Sequence, residues 1–467
     1  MPVVFCGICP HPPIALPEVG YEESEKVAST QKSIMKLGQM IKESRAEIIV
    51  IISPHAPVFR DVVAINRSPE LHGDLMLFRA GEVYFNAITD QVMAEAIGRE
   101  ANSLGLETVD LEEEDERKYN ITLRLDHGVT VPMYFIRKSG VMLPLVHVAM
   151  SVAPLEKLYL FGVAVRQAAN ATDKKVAILA SGDLSHGLTI DAPGGYLPNG
   201  EEFDRQLVSL LEAGDFDGVL SMDQKLVESA GECGYRTVVM MLGALDGTLV
   251  NSEILTYEGP FGVGYLTAAF TPLEDNRVPS IRARLEQEEQ ARMATKRASE
   301  SFLVKLARDT LERHVKGEKA APVTEIPTEF QGKRAGVFVS IKKHGILRGC
   351  IGTVAPTEPD IISEVANNAI SAGMEDPRFQ QVTVSELTEL EYSVDVINPP
   401  EPIDSFDELD PKKYGVVVRS GAKSGLLLPD LEGIDTVEEQ VAIASQKAGI
   451  GPHEHVKLER FDVSRYT

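Results

Sequence analysis

Short apolar runs alternate with amphipathic helical stretches through residues 1–272, and this alternation leaves few architectures open. The run EIIVIIS (47–53) is rich in β-branched residues, which is typical of a strand buried on both faces of a parallel sheet. A helical periodicity over 23–43 separates it from a first strand, VVFCGIC (3–9). The pattern predicts an α/β sheet flanked by helices on both faces. Further strands are predicted at 142–150, 175–181, 251–259 and 263–270.

The pattern changes after Pro272. Residues 273–298 are highly charged and predict a linker that runs into a helix, and a new apolar pattern then occupies 299–467. A helix at its start and a mixture of short strands and helices predict a separate, smaller α+β domain. The predicted helices cover 301–315, 359–373 and 437–448, and the predicted strands 336–343, 390–397, 414–420 and 423–429.

Charge and composition narrow the function. The 467 residues include 46 Lys and Arg against 70 Asp and Glu, a net charge of −24, which disfavours binding to nucleic acid or to anionic membranes. No apolar run approaches the roughly 20 residues that a membrane span requires, and the N-terminus has no signal-peptide pattern. Four cysteines do not make a disulfide scaffold in a chain of this length, so we expect a reduced, cytoplasmic protein.

Histidines follow the predicted strands of the first domain. His11 lies in CPHPP, His55 in SPHAP and His186 in SGDLSHG, each just past a strand, and His127 lies in LDHGVT ahead of an apolar run. In an open α/β sheet, ligands bind outside the carboxyl ends of the strands. Because prolines hold the loops of His11 and His55 out of helix, we expect these imidazoles to converge on one site.

Imidazole is a ligand for iron, zinc and copper, and two histidines with a carboxylate leave open positions on a ferrous ion for oxygen and substrate. The remaining histidines lack this sequence context, and we assign them structural roles: 72, 147, 314, 344, 453 and 455.

Cys6 and Cys9 form C-x-x-C inside the first strand. Side chains three apart in a strand point to opposite faces, so we expect neither a disulfide nor a shared metal there.

The motifs CPHPP, SPHAP, LDHGVTVP and SGDLSHG, in this order, resemble the LigB-type class III extradiol dioxygenases and the related Memo proteins, over roughly 1–272. The resemblance implies a LigB/Memo-like mixed sheet flanked by helices. It also implies that His11 and His55 are metal ligands, and that His127 and His186 are the acid–base pair that handles the protons of a catechol.

The same resemblance leaves the third metal ligand open. The dioxygenases use a late glutamate, which Glu232 in GECGYRT can supply, whereas Memo-type chains carry a cysteine near this place, and Cys233 is adjacent. We favour Glu232 because carboxylate is the usual oxygen-facing ligand of ferrous iron. A Cys233 ligand would imply a Memo-like site in which His186 also binds the metal. Asp183 is a candidate partner that orients His186, and a cap of its own loop is the alternative.

The second domain resembles the AMMECR-one family, over roughly 300–467, through ILRGCIG (346–352), AISAGMEDPRF (369–379) and GLLLP (425–429). Gly349 and Gly352 flank Cys350 on a predicted turn that approaches another backbone closely or adopts positive φ. Arg348 is a candidate anion ligand and Cys350 a candidate nucleophile, with a tight structural turn as the alternative. Asp376 and Arg378 either pair with each other or contribute to a site.

The resemblance of the first domain implies a non-haem Fe(II)-dependent oxidoreductase of the extradiol dioxygenase type, with another divalent metal as an alternative cofactor. The expected substrate is a catechol-like or related small molecule. The alternative is a Memo-like metal-binding protein with a scaffolding role or a non-dioxygenase reaction, associated with a radical-SAM partner protein. Association of the chain with itself, as a homo-oligomer, stays open.

Overall fold

The computed structural model of the chain describes residues 2–320, 322–343, 345–431, 433–451 and 454–467, and for 274–276 the backbone. The chain forms two compact units that divide between Glu286 and Gln287. Each unit has its own apolar core, as expected of independent domains.

The first unit is built on an eight-stranded sheet in the spatial order β6-β3-β7-β2-β8-β1-β10-β9, beside a two-stranded sheet of β4 and β5. The central strands are parallel, whereas β10 pairs antiparallel with both β1 and β9. The strands are β1 Val3–Cys9, β2 Ile48–Ser53, β3 Val63–Asn66, β4 Glu70–Leu75, β5 Ala80–Ile88, β6 Thr108–Leu111, β7 Leu145–Ala149, β8 Val176–Ser181, β9 Thr248–Glu258 and β10 Tyr265–Arg277.

Helices cover both faces of this sheet. Side chains of β1 alternate between two cores, with Ile8 in one and Phe5 in the other, because successive residues of a strand face opposite ways. The helices are α1 Pro17–Gly20, α2 Ala28–Glu43, α3 Gln91–Ser103, α4 Glu113–Tyr119, α5 His127–Lys138, α6 Leu155–Thr172, α7 Gly200–Ala213, α8 Phe216–Leu220, α9 Gln224–Ala230, α10 Tyr235–Gly243 and α11 Ile281–Ala298, which runs into the second unit.

The register of the three central strands positions the site. In the order β2-β8-β1, Ile52 pairs with Ala180, and Cys9 pairs with Ser181. Because these strands are parallel and end at the same level, the loops that follow them leave the sheet side by side. His11, His55 and the segment after Ser181 lie in these loops.

The second unit has two four-stranded sheets, β12-β11-β13-β18 and β14-β17-β15-β16, whose strand pairs are all antiparallel. The elements are α12 Phe302–Val315, β11 Val337–Lys343, β12 Ile346–Gly352, α13 Ile361–Met374, β13 Leu390–Ile397, β14 Glu401–Ile403, β15 Gly415–Ser420, β16 Lys423–Leu427, α14 Val437–Lys447, β17 Lys457–Phe461 and β18 Val463–Tyr466.

The predicted fold class is confirmed: a mixed sheet flanked by helices precedes a separate domain with small antiparallel sheets. One local prediction is wrong, because ILRGCIG forms the strand β12 rather than a turn. Its glycines serve close approach, since a Cβ on Gly349 would lie 2.1 Å from the carbonyl oxygen of Ala372 in α13. The segment 273–298, predicted as a charged linker that runs into a helix, holds the end of β10 and the helix α11.

Candidate metal centre

Two histidines and a cysteine meet where the central strands end. His55 Nε2 lies 3.0 Å from His11 Nε2, and Cys233 Sγ lies 3.6 Å from the same nitrogen. All three atoms lie within 4.8 Å of one another. His11 is buried, Cys233 is half-buried and His55 is exposed, so the group is open to solvent on the His55 side.

The distances from His11 Nε2 to the other two ligand atoms fit a single metal ion. Metal bonds of about 2.0 Å to imidazole and about 2.3 Å to thiolate place neighbouring ligand atoms roughly 2.9–3.6 Å apart in octahedral or tetrahedral geometry. Two imidazole lone pairs at 3.0 Å repel each other unless a proton or a cation lies between them. The residues present therefore fit a bound divalent metal.

Ser181, the last residue of β8, fixes which nitrogen of His11 faces Cys233. The Ser181 hydroxyl donates to the carbonyl oxygen of Gly128 and lies 2.9 Å from His11 Nδ1. Because that hydroxyl has one proton, it accepts from Nδ1–H of His11, which leaves Nε2 with a free lone pair. Contacts of this kind orient metal-binding histidines in known sites.

His127, the first residue of α5, stacks on His55 with ring centroids 4.3 Å apart. Burial and the neighbouring His55 lower the pKa of His127 to about 4. Burial and the nearby charges of the other imidazoles likewise hold the pKa of His11 well below its usual value. Both rings are therefore neutral near pH 7, which is the form that binds metals and accepts protons.

The carboxylate of Asp126 supports this cluster, and the sequence reasoning did not predict that role. Asp126 caps α5, and its Oδ1 accepts from the Gly128 amide at 2.6 Å and from the Ser53 hydroxyl at 2.7 Å. His147, which we had assigned a structural role, is buried with Nε2 3.7 Å from Asp126 Oδ2. The aspartate in LDHGVT was the signal available in the sequence. Of the other histidines in that group, His344 and His453 lie outside the described residues.

The geometry favours Cys233 over Glu232 as the third ligand of the candidate centre. The Glu232 carboxylate turns away to accept a hydrogen bond from the Tyr235 amide at the start of α10, and burial raises its pKa to about 7. Cys233 pairs instead with Asp183: the Asp183 amide donates to Cys233 Sγ at 3.3 Å, and the Cys233 amide donates to the Asp183 carbonyl at 3.3 Å. This pairing holds the thiol against His11.

Two glycines allow that pairing. A Cβ on Gly182 would lie 2.1 Å from the Cα of Gly234, so the two loops pack backbone against backbone. Only glycine permits such an approach at this position. The position of Cys233 therefore depends on the neighbouring Gly234, which lets its loop approach Gly182.

The side chain of Asp183 contacts His11 rather than His186, the partner that the sequence suggested. Asp183 Oδ1 accepts from the His11 amide at 2.9 Å, and burial raises the pKa of Asp183 to about 7. It therefore supports His11 and Cys233, and no contact of its side chain with His186 occurs among the described residues. His186 lies close enough to His55 for that ring's charge, added to burial, to lower the pKa of His186. Its buried Nε2 has no hydrogen-bond partner in the described part of the chain.

In the second unit the candidate residues bind one another. The Arg348 guanidinium contacts Glu386 at 2.9 Å and the Gln380 carbonyl at 2.7 Å. The Cys350 thiol accepts from the Ser340 hydroxyl at 3.2 Å. These contacts occupy Arg348 within the unit, as in the structural alternative, rather than presenting it to an anion.

Asp376 and Arg378 pair directly, at 2.7 Å. The Asp376 carboxylate also accepts from the Cys350 amide at 2.9 Å, and Arg378 donates to the Cys350 carbonyl at 3.1 Å. The two residues thus tie β12 to the segment after α13, which is a structural role for both.

Cys6 and Cys9 lie on opposite faces of β1 in separate cores, as predicted. Burial raises the pKa of both thiols far above the usual range, so both remain protonated. Among the described residues, no helix is long and apolar enough to cross a membrane.

Comparison with known proteins identifies both units. The family model described as the catalytic LigB subunit of aromatic ring-opening dioxygenase matches residues 6–269, and the AMMECR1 model matches 304–467. A protein of Clostridium acetobutylicum is 40% identical over 463 residues, which cover 98% of each chain. This chain belongs to the LigB family. It is a LigB-family protein with a fused AMMECR1 domain, as the motifs predicted.

Other similar proteins match one part of this LigB-family chain. A Thermotoga maritima protein is 49% identical over 166 residues, covering 35% of this chain and 95% of its own. A crystal structure of a Pyrococcus horikoshii protein covers 35% of this chain and 88% of its own, at 33% identity and a TM-score of 0.33. An Escherichia coli K12 structure covers 57% of this chain and 99% of its own, at 16% identity and a TM-score of 0.41.

Proposed function

We propose that the first unit is a metal-dependent oxidoreductase whose metal is held by His11, His55 and Cys233. The observation that carries this proposal is the convergence of three ligand atoms within 4.8 Å at the carboxyl edge of the sheet. LigB-family membership supports an enzyme of this kind, and Fe(II) is the metal that we propose first. Burial raises the pKa of the Cys233 thiol well above its usual value, so a metal would have to displace its proton. A thiolate beside two imidazoles also suits zinc or copper, so metal competition belongs in the test.

Residues of the chain would bind the substrate from the exposed side. Phe78, half-buried, lies edge-on to His127 with ring centroids 5.2 Å apart, which gives this side of the cluster an apolar wall. His55 is the exposed ligand, so a small hydroxylated molecule can reach the metal there without displacing buried groups. A catechol-like molecule combines the apolar ring and the hydroxyl oxygens that such a position favours.

We assign proton handling to His127 and His186. Burial is the largest cause that lowers the pKa of both imidazoles, and both are therefore neutral near pH 7. Each can therefore take a proton from a substrate hydroxyl, and His186 offers a buried Nε2 that the described part of the protein leaves unpartnered. A bound metal would supply a Lewis acid and, for iron, a redox centre for oxygen chemistry.

Oxygen uptake by the Fe(II)-loaded protein with a panel of catechols tests this reaction. We expect uptake to depend on substrate and to fall about 100-fold or more in His127→Asn and His186→Asn, with iron retained. His314→Asn, on α12 of the second unit, is the matched control and should leave the rate unchanged. Uptake that is unaffected by the two site variants would contradict the assignment.

Cys233 favours a second candidate function. Carboxylate is the usual third ligand of ferrous oxygenases, and the thiolate position suits a metal site that does not cleave rings. In this version the protein binds the metal in the same cluster but acts without oxygen, in a scaffolding role or beside a radical-SAM partner protein. A metal-loaded protein that consumes no oxygen with any catechol, yet loses its metal in Cys233→Ala, would favour this candidate.

A further inference from the structure

A cavity lies at the end of the large sheet opposite to the candidate metal centre. It has a volume of about 660 Å³ and is lined in part by Val3, Arg166, Arg277 and Arg282. Strand β1 begins at Val3 beside this cavity and ends at Cys9 near the metal centre. At about 3.3 Å per residue, the two sites lie roughly 20 Å apart. The cavity is therefore separate from the candidate metal centre.

The buried carboxylate in its wall is already satisfied. Asp246 Oδ1 accepts from the Tyr159 hydroxyl at 2.9 Å and from the Arg282 amide at 3.1 Å, and Oδ2 accepts from the Ser280 hydroxyl at 2.7 Å. Arg166 lies 3.8 Å from the same Oδ2. With both oxygens occupied, Asp246 is unsuited to binding a cation from the cavity.

Three guanidinium groups line the cavity, against two carboxylates, those of Asp246 and Glu286. Arg282 Nε donates to Glu286 at 2.6 Å, and Arg166 faces Asp246. Arg277 makes no ion pair among the described residues. Burial lowers the pKa of Arg166, the neighbouring Asp246 and Tyr159 oppose that shift, and the positive charges of Arg282 and Arg277 add to it to a smaller extent. In a chain of net charge −24, this excess of positive charge is a local exception.

A neutral acceptor lies in the same wall. The side-chain oxygen of Gln167 is buried, and it has no hydrogen-bond partner in the described part of the chain. Because protein atoms cover this oxygen, a ligand with an N–H or O–H group would pair with it once the Gln167 side chain turns into the cavity. The volume is in the range of about 300–1,000 Å³ that is typical of small-molecule sites.

We propose that this cavity binds a phosphate-bearing small molecule, with the phosphate on Arg277 and Arg282 and a donor group on Gln167. A phosphate dianion matches the planar fork of two guanidinium groups and offsets their mutual repulsion. The organic part of the ligand would occupy the apolar remainder, which includes Val3 and Leu273. This site is independent of the metal-dependent reaction.

Calorimetric titration of the full chain tests the proposal, in low salt and with EDTA so that the metal centre does not bind the probe. The probes are inorganic phosphate, pyrophosphate and ribose 5-phosphate. We expect at least one to bind, and we expect Arg277→Gln and Arg282→Gln each to raise its Kd about tenfold or more. Arg205→Gln, an exposed arginine of α7 paired with Glu202, should leave the Kd unchanged.

A third variant separates the sources of the phosphate. If Gln167→Leu weakens ribose 5-phosphate but not inorganic phosphate, the site recognises an organic phosphate. If free phosphate and ribose 5-phosphate bind equally in the wild type and both weaken in the arginine variants, the site recognises the phosphate group itself. The absence of binding by all three probes, or equal binding by the wild type and both arginine variants, would overturn the proposal.

Discussion

The hydroxyl of Ser181 links His11 to the main chain of α5: it lies 2.9 Å from His11 Nδ1 and donates its proton to the Gly128 carbonyl. Three elements that are far apart in sequence thereby set the direction of one imidazole lone pair. The Nε2 atom that remains free is the atom that faces both His55 and Cys233. The binding properties of the cluster should therefore depend on a residue that is not itself a ligand.

Ser181→Ala removes the oxygen that accepts from His11 Nδ1–H, so this contact no longer fixes the orientation of the His11 ring. We expect metal affinity to fall about 10–100-fold, the usual effect of losing a partner of a metal-binding histidine. Competition titration with a chromogenic chelator measures this change. Ser252→Ala removes a hydroxyl that bonds to Leu211 in another part of the unit, and its affinity should match the wild type. Equal affinities for Ser181→Ala and wild type would contradict the role of Ser181.

Gly182→Ala tests the packing that positions Cys233. The added Cβ would lie 2.1 Å from the Cα of Gly234, so the two loops must separate. We expect a loss of about 1–3 kcal/mol in the free energy of unfolding and a weaker metal site, because Cys233 moves with its loop. Gly98→Ala, within helix α3, is the control, because the added Cβ would lie 3.5 Å from its nearest neighbouring atom, an ordinary contact distance. Unchanged metal affinity in Gly182→Ala would show that the thiol does not depend on this contact.

Asp376 should make the second unit sensitive to acid. Hydrogen bonds from Arg378 and from the Cys350 amide hold the pKa of Asp376 well below its usual value. Folding favours the ionised carboxylate of Asp376. Its stabilising effect is therefore present above the pKa of about 3.9 in the unfolded chain, and it is lost as the pH falls through the lower pKa of the folded protein. Hydrogen-exchange protection of the segment 346–352 in the full chain should fall as the pH is lowered from about 5 to 3.

The variant Asp376→Asn supplies the comparison. It loses the charge-assisted bonds, so protection of the same segment at pH 7 should fall about tenfold or more, and its dependence on pH should flatten. Parallel pH profiles for the wild type and the variant would mean that Asp376 does not contribute this effect.

The sequence allowed the architecture and most of the cluster to be predicted, for a local reason. Strand β1 was expected at 3–9 and spans Val3–Cys9, and loops after parallel strands meet at one edge whatever the details of the helices. His11 and His55, which follow two of these strands, have ring centroids 4.8 Å apart, and His127, at the start of α5, lies 4.3–5.1 Å from both.

The remaining parts depend on contacts between distant segments. The approach of Gly182 to Gly234, which no spacing within GECGYRT reveals, places Cys233 beside Asp183 and His11. The same holds for Asp183, whose partner is the amide of His11, 172 residues away in sequence. The strand character of ILRGCIG arises from pairing with β11, where Cys350 lies opposite Ser340. Local propensity cannot report such tertiary pairings.

Metal content after anaerobic Fe(II) loading tests the central claim most directly, on the wild type, Cys233→Ala and Glu232→Gln. Gln keeps an oxygen that can accept from the Tyr235 amide, so the control variant should fold like the wild type. We predict about one iron per chain in the wild type and in Glu232→Gln, and a loss of about tenfold or more in affinity in Cys233→Ala. Iron kept by Cys233→Ala and lost by Glu232→Gln would contradict the His11–His55–Cys233 centre.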